Sequence, residues 1–287
     1  MAIYQPKEIP AISAPISAAN RRNAHNHPAV DLGCCTPSQL FSKADISLYG
    51  TVCFLGKPSR GIEIARALIR RSKKPFLFIG TKEDANSAFC SLQPMWTQNN
   101  ITTNLPNGSG AILLFKPYES YLEICNCIEN LAQDYILIFH LGRGVQIGAG
   151  LLNRLCAVQQ CLIFCESIPQ SIQSTEGYTI TVSDFLKRMN YLFVFSSGAE
   201  TKELIELLPT YQYEKISNTE AFNSFRGRSI LHPFHGHRTR GISISQTRTK
   251  DFSKHVFEMD ELMDLFSVGY LLVYNAPRNT VFLTHIV

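Results

Sequence analysis

The sequence predicts an open α/β sandwich, in which a mostly parallel sheet carries helices on both of its faces. Two observations support this prediction. After residue 46, short runs that are apolar throughout alternate about five times with amphipathic stretches, the pattern of strands buried on both faces and joined by crossover helices. The chain also has 287 residues, of which 45% are hydrophobic, and this suffices for a large core.

The elements follow from apolar periodicity and from stop signals. Strands are predicted in the short apolar runs at 46–56, 76–81, 111–115, 135–141, 162–165 and 191–195. Helices are predicted where apolar residues recur every three or four positions, at 61–72, 83–92, 118–133, 151–160 and 200–208. Two further apolar runs after residue 270 flank the loop Asn275–Asn279, which predicts a C-terminal β-hairpin.

Three segments are expected along the chain. Residues 1–44 read as a flexible N-terminal extension, because prolines interrupt any helix there and no apolar signal core is present. Residues 45–220 form the α/β core, and residues 221–287 form a basic loop segment, an acidic helix and the hairpin. No run approaches the roughly 18 apolar residues that a membrane span needs, so we expect no membrane partner.

Charge is unevenly distributed, although the net charge is only +4. Residues 221–250 contain no Asp or Glu, and their cations are Arg226, Arg228, Arg238, Arg240, Arg248 and Lys250. A second basic group lies in the second half of the first predicted helix and in the residues after it. It consists of Arg66, Arg70, Arg71, Lys73, Lys74 and Lys82. Cations interleaved with aromatic and hydroxyl side chains fit phosphate contacts to folded RNA. The alternative is a solvated loop that the acidic stretch at 251–264 neutralises.

A glycine-containing loop at 142–150 supports a different function. It follows a predicted strand and precedes a helix, and its glycines are Gly142, Gly144, Gly148 and Gly150. The spacing resembles that of cofactor loops in short-chain dehydrogenases, and Glu166 at the end of the next strand could accept a hydrogen bond from a ribose hydroxyl. No Tyr-x-x-x-Lys pair follows in a predicted helix, so a nucleotide-binding enzyme is the alternative interpretation.

At another loop, 56–61, Ser59 is expected to cap the helix that follows.

The cysteines and histidines predict no metal site and no cofactor. Nine cysteines are an odd number, and most of them lie inside apolar runs, as expected of reduced thiols in a core. The His pair at 25 and 27 and the three His at 232–237 lack the second cluster of Cys or His that structural zinc sites use.

Two segments resemble a known family. The sequence KKPFLFIGTKEDANSAF at 73–89 is similar to the segment of the bacterial and organellar family of ribosomal small-subunit protein two in which a basic turn enters a strand ending in Gly-Thr-Lys. Residues 111–140 are similar to the strand, helix and strand that follow in that family. Trp96 with Thr103 and Asn104 resembles its Trp-Leu-Gly-Gly-x-Leu-Thr-Asn segment.

The resemblance implies a non-catalytic structural constituent of a small ribosomal subunit with a flavodoxin-like sandwich fold, which agrees with the Rossmann-like three-layer architecture predicted above. It implies that basic faces contact small-subunit rRNA and that other ribosomal proteins cover the rest, without a homo-oligomer. Divergence from the family favours the mitochondrion as the location, with the cytoplasm as the alternative. The cations named above are the expected RNA contacts.

Overall fold

The computed structural model describes residues 2–4, 29–47, 49–81, 83, 87–94, 96–98, 105–114, 126, 128–129, 134–141, 148–158, 160–168, 180–196, 198, 200–211, 214–228, 236–250 and 254–287. For 2–4, 96–98, 214–228 and 236–250 the description covers the backbone and its strand pairing. The chain forms two compact units. The small unit comprises Met1–Asn26 with Thr210–Lys254, and the large unit comprises His27–Pro209 with His255–Val287.

Both units contain strands, and the described α-helices all belong to the large unit. The described strands are β1 (Ala2–Tyr4), β2 (Ala29–Cys35), β3 (Thr51–Leu55), β4 (Phe76–Gly80), β5 (Trp96–Gln98), β6 (Gly110–Leu114), β7 (Ile136–Leu141), β8 (Cys161–Cys165), β9 (Tyr191–Val194), β10 (Thr210–Tyr211), β11 (Glu214–Arg228), β12 (Gly236–Lys250), β13 (Lys254–His255), β14 (Leu271–Asn275) and β15 (Thr280–Ile286). The described helices are α1 (Pro37–Lys43), α2 (Pro58–Ser72), α3 (Ala149–Val158), α4 (Val182–Lys187), α5 (Thr201–Leu207) and α6 (Met259–Ser267), with 3₁₀ turns at Ala88–Leu92 and Ala276–Arg278.

The large unit is built on a ten-stranded sheet in the order β2-β15-β14-β9-β3-β8-β7-β4-β6-β5. Neighbouring strands from β9 to β5 are parallel. The hairpin of β14 and β15 is antiparallel, and β14 also pairs antiparallel with β9. The predicted fold class is therefore confirmed: an open, mostly parallel sheet with helices and a C-terminal hairpin.

The strands at the middle of this sheet are buried on both faces. Every residue of β3, β4, β8 and β9 is buried, as their unbroken apolar sequences predict. Beneath α2, the Phe54 ring stacks on those of Phe164 (4.5 Å between centroids) and Phe193 (5.0 Å). A Cβ atom at Gly61 would lie 2.9 Å from the rings of both Phe54 and Phe164, so a glycine is what lets α2 approach the sheet.

The direction of the crossovers divides the helices between the two faces. The connections from β3 to β4 and from β4 to β5 run toward the β5 edge, whereas those from β6 to β7, β8 and β9 run toward the β2 edge. Because such crossovers are right-handed, α2 in the first set lies on the opposite face from α3 and α4 in the second. The direction reverses between β9 and β3 and again between β7 and β4. Open α/β sheets bind ligands at such switch points, at the carboxyl ends of the strands.

The small unit contains a long antiparallel pair of strands. β11 and β12 pair without interruption from Glu214 opposite Lys250 to Arg228 opposite Gly236, and we call this pair the ribbon. β1 pairs with β11 on its outer edge, and β10 pairs with β13. The sequence predicts a loop for residues 221–250, and the structure has two strands there. Apolar residues alternate with polar ones only over short stretches there, such as Ile242–Ser245, so the sequence gives a weak strand signal.

The unit boundaries also differ from the expected segments. Residues 29–44, expected in the flexible extension, form β2 at the sheet edge and α1, whose capping box joins Thr36 and Gln39. The hairpin belongs to the large sheet because β14 pairs with β9, and the Asn275 side chain donates a hydrogen bond to the Ala44 carbonyl (3.1 Å). The predicted helix at 83–92 is described only at Glu83 and as the 3₁₀ turn Ala88–Leu92, and most of the one at 118–133 lies outside the described residues. No helix among the described residues is both long enough and apolar enough to cross a bilayer.

Candidate nucleic-acid interface

The register of the ribbon places its predicted RNA-binding cations on one face. Even-numbered residues of β11 lie opposite even-numbered residues of β12 along the whole pairing, and alternate residues of a strand share a face. This face, which we call the cationic face, contains two acidic residues, Glu214 and Glu220, and the six cations Arg226, Arg228, Arg238, Arg240, Arg248 and Lys250. The opposite face contains Lys215, His237 and otherwise uncharged residues.

Four arginines gather at the end of the ribbon farthest from Glu214. Arg226 lies directly opposite Arg238, and Arg228 and Arg240 occupy the neighbouring positions of the same face. We call these four residues the distal cluster. Directly opposite positions place Cβ atoms about 5 Å apart, where like charges destabilise a strand pair. The distal cluster is therefore an arrangement that a bound anion would stabilise.

The cationic face is long as well as polarised. Fifteen residues per strand at about 3.4 Å each give a ribbon about 50 Å long. Arg248 and Lys250 lie at its other end, ten or more positions along β12 from Arg238, which corresponds to about 34 Å. Glu214 lies opposite Lys250, so this end is partly neutralised. The two groups of cations can contact phosphates at two separate places along a nucleic acid.

The second basic group, at the C-terminal end of α2, is already partly paired. The Arg66 guanidinium donates to Glu63 (2.9 Å) and to the Ser91 carbonyl (2.6 Å). The Lys74 ammonium lies 2.5 Å from Asp134 Oδ2 and 5.4 Å from the centre of the Tyr49 ring. These two cations have partners within the protein.

The remaining described cations of this group are exposed. Arg70 and Arg71 lie in the last turn of α2, and Lys73 ends the helix in the left-handed conformation with φ of 56°. Cations at this end complement the helix dipole, which explains part of the cluster without a ligand. Lys82 lies outside the described residues. The structure thus brings three exposed cations to one helix end.

The glycine loop begins at one of the two switch points of the sheet. It follows β7, whose neighbour β4 sends its own connection in the opposite direction. Gly142 and Gly144 lie outside the described residues. Gly148 is buried and its carbonyl accepts the first hydrogen bond of α3, from the Leu152 N–H (3.1 Å), while Gly150 is exposed in the first turn.

Glu166 follows directly after β8, the parallel neighbour of β7, and it is exposed. The strand, helix, strand and terminal acid expected of a dinucleotide-binding unit are thus present in the predicted order.

The loop at 56–61 differs from its prediction. Lys57, not Ser59, is the residue before the first turn of α2, because Pro58 occupies the first helical position that prolines favour. Lys57 makes no side-chain capping hydrogen bond. Lys57, Ser59 and Arg60 are exposed at the second switch point, where Gly56 with φ of 98° lies against Ser196.

One buried carboxylate gave no signal in the sequence. Glu200 is 1% exposed, and its Oε2 atom lies 3.5 Å from the Ser167 hydroxyl, which donates to it. Burial raises the pKa of the Glu200 carboxyl, while hydrogen bonds, including one from the Ile168 backbone, oppose that rise. Glu200 joins the loop after β8 to the loop after β9, and a lone Glu at a helix start does not reveal such a role.

Several described cysteines are core thiols. Cys35, Cys53, Cys161 and Cys165 are buried, and the Sγ atoms of Cys53 and Cys165 are 3.8 Å apart. The hydrogen bond with Cys53, followed by burial, raises the pKa of the Cys165 thiol, which makes it a poor nucleophile.

Comparisons with known proteins neither support nor contradict the resemblance to the ribosomal family. No protein-family model matches the chain, and a search of curated proteins gives no match.

Proposed function

We propose that this protein binds RNA through the cationic face of the ribbon, as a non-catalytic structural constituent of a small ribosomal subunit, in the mitochondrion. The observation that carries the proposal is the distal cluster, in which Arg226 lies opposite Arg238 with two further arginines beside them. A phosphate backbone supplies the negative charge that this arrangement lacks. Arginine suits the role because its planar guanidinium donates two hydrogen bonds to one phosphate.

The large unit supports the ribosomal part of the proposal in a weaker way. The residues similar to ribosomal small-subunit protein two include β4, β6 and β7, which are neighbours in the sheet order β7-β4-β6. The α/β sandwich is also the architecture that the resemblance implies.

Sedimentation of the full chain tests the proposal. A tagged chain at native expression level should sediment with the small ribosomal subunit, and high salt or ribonuclease should release it because phosphate contacts depend on salt. The variant R226Q/R228Q/R238Q/R240Q should sediment free, and the variant with lysine at the same four positions should retain most of the association. A wild-type chain that sediments as a free protein and is indifferent to salt and ribonuclease would refute the proposal.

A second candidate function is nucleotide binding at the switch point between β7 and β4. The observation that favours it is the β7–α3–β8 unit with Glu166 directly after its second strand. Calorimetry with NADH, NADPH and ATP tests it. Saturable binding that loses its preference for NADH over NADPH in Glu166→Gln would support this candidate, and the absence of heat with all three ligands would exclude it.

A further inference from the structure

Helix α6 is apolar on its core side and on part of its outer side. Leu262 and Leu265 are buried, and α6 packs against α5. On the outer side, Met259 and Met263 are 48% and 52% exposed and lie one turn apart, so they are neighbours on the helix surface.

The half-buried Phe266 continues the same row, and Val268 just after the helix is 58% exposed. We call the three residues of this row, Met259, Met263 and Phe266, the methionine stripe.

The methionine stripe is a concentration of exposed apolar surface. Six large hydrophobic side chains are exposed among the described residues, and Met259 and Met263 are two of them. Isolated apolar side chains on a surface need no explanation, whereas contiguous ones mark interaction sites. Methionine is common on surfaces that bind helices because its flexible side chain adapts to the partner.

Carboxylates border the methionine stripe. Glu258, Asp260 and Asp264 are exposed, and Asp260 and Asp264 lie one turn apart on the same side of α6. Between Lys254 and Arg278 the sequence contains no Lys or Arg. The helix dipole accounts for an acid in the first turn, such as Asp260, but it accounts neither for Asp264 nor for the methionines.

The charge of this surface indicates the chemical class of its partner. A negative surface repels RNA, so the partner is not the polyanion proposed for the ribbon. An apolar row beside a row of carboxylates is complementary to a helix with an apolar row beside a row of Lys or Arg.

We propose that α6 is a docking site for a basic amphipathic helix of a partner protein. The partner's apolar residues pack on the methionine stripe, and its cations pair with Asp260 and Asp264. This inference goes beyond RNA binding and does not depend on it.

A synthetic peptide with Leu on one helical face and Lys on the other is the probe, and its counterpart with Glu in place of Lys is the charge control. Fluorescence anisotropy with the full chain should show saturable binding of the Lys peptide only. The variant M259Q/M263Q should weaken this binding about tenfold. The variant D260N/D264N should weaken it and reduce its salt dependence. The matched control Val30→Gln removes an exposed apolar side chain elsewhere in the large unit and should leave binding unchanged.

Three kinds of outcome would overturn the proposal. The first is a failure of the peptide assay: equal binding of both peptides, binding that M259Q/M263Q leaves intact, or no binding. The second is self-association of the chain that M259Q/M263Q abolishes in sedimentation equilibrium, since the surface would then bind a second copy. The third is loss of RNA binding in M259Q/M263Q, since the partner would then be RNA. Retained RNA binding in that variant separates failure of this proposal from failure of the RNA-binding proposal.

Discussion

The cationic face and α6 are close in the sequence and opposite in charge, and they differ in how the backbone treats their charges. In the ribbon, the pairing of two strands forces like charges together, as at Arg226 and Arg238. In α6, the helix dipole stabilises acids in the first turn, such as Asp260. The repulsion between paired arginines would therefore be relieved by a bound anion, whereas the helix dipole stabilises part of the negative charge of α6 without a ligand. The small net charge of +4 conceals both regions.

The distal cluster should show the largest effect. The variant R226Q/R228Q/R238Q/R240Q should lose roughly a thousandfold in affinity for small-subunit rRNA, because four phosphate contacts are removed. The slope of log affinity against log salt should fall by about 3. Filter binding across a salt series measures both quantities. Lys215→Gln, on the opposite face of the same ribbon, is the control, and an equal loss in this variant would contradict the assignment of the cationic face.

Two adjacent residues of α6 should differ in how much they contribute to the free energy of unfolding. Leu262→Ala should lower the free energy of unfolding by about 3 kcal/mol because Leu262 is fully buried. Met263→Ala should change it by less than about 0.5 kcal/mol because Met263 is half exposed. Urea unfolding followed by the fluorescence of Trp96, the single tryptophan, measures both changes in the large unit. A large loss in Met263→Ala would mean that the methionine stripe serves folding.

Glu200 is the buried counterpart of the exposed carboxylates of α6. Because burial raises its pKa in the folded state, its contribution to stability is full below the unfolded pKa and is lost as pH rises through the folded pKa. Glu200→Gln should therefore reduce the loss of unfolding free energy that occurs as pH rises above the usual glutamate pKa. Urea titrations at a series of pH values measure this, with Asp264→Asn as the exposed control. Identical pH profiles for wild type and Glu200→Gln would show that this carboxyl is not perturbed.

The smallest effects are expected at the end of α2. The variant R70Q/R71Q should weaken RNA binding about threefold, since two exposed cations contribute to the long-range attraction of a polyanion. Lys74→Gln should change it less, because the Lys74 ammonium is already paired with Asp134. The same filter-binding series distinguishes the two variants. A larger loss in Lys74→Gln than in R70Q/R71Q would mean that the pair opens on binding.

The sequence predicted the buried part of the fold because burial on both faces leaves continuous apolar runs. These runs located β3, β4, β6, β7, β8, β9 and the hairpin of β14 and β15. It did not predict β2, whose five middle residues are exposed or half-buried and include Gly33. It did not predict the ribbon either, in which apolar residues alternate with polar ones only over short stretches, such as Ile242–Ser245. Strand patterns without a long apolar face are weak signals.

Counting charges found the cations of the candidate site but not their arrangement. That all of them share a face depends on which residue of β11 pairs with which residue of β12, and pairing is set by the folded backbone. The partners of Arg66 and Lys74 likewise come from distant segments, at Ser91 and Asp134. Glu200 was missed because its burial results from the packing of two loops that the sequence does not bring together.

The pairing of even-numbered with even-numbered residues constrains which insertions and deletions the ribbon can accept during evolution. Inserting a single residue within β12 would move the positions beyond it to the opposite face, unless a bulge absorbed the change. Length, composition and net charge would hardly alter, yet the arginines would be divided between two surfaces. Insertions and deletions that preserve the cationic face are therefore expected in steps of two residues, so the lengths of these strands carry information that their amino-acid content does not.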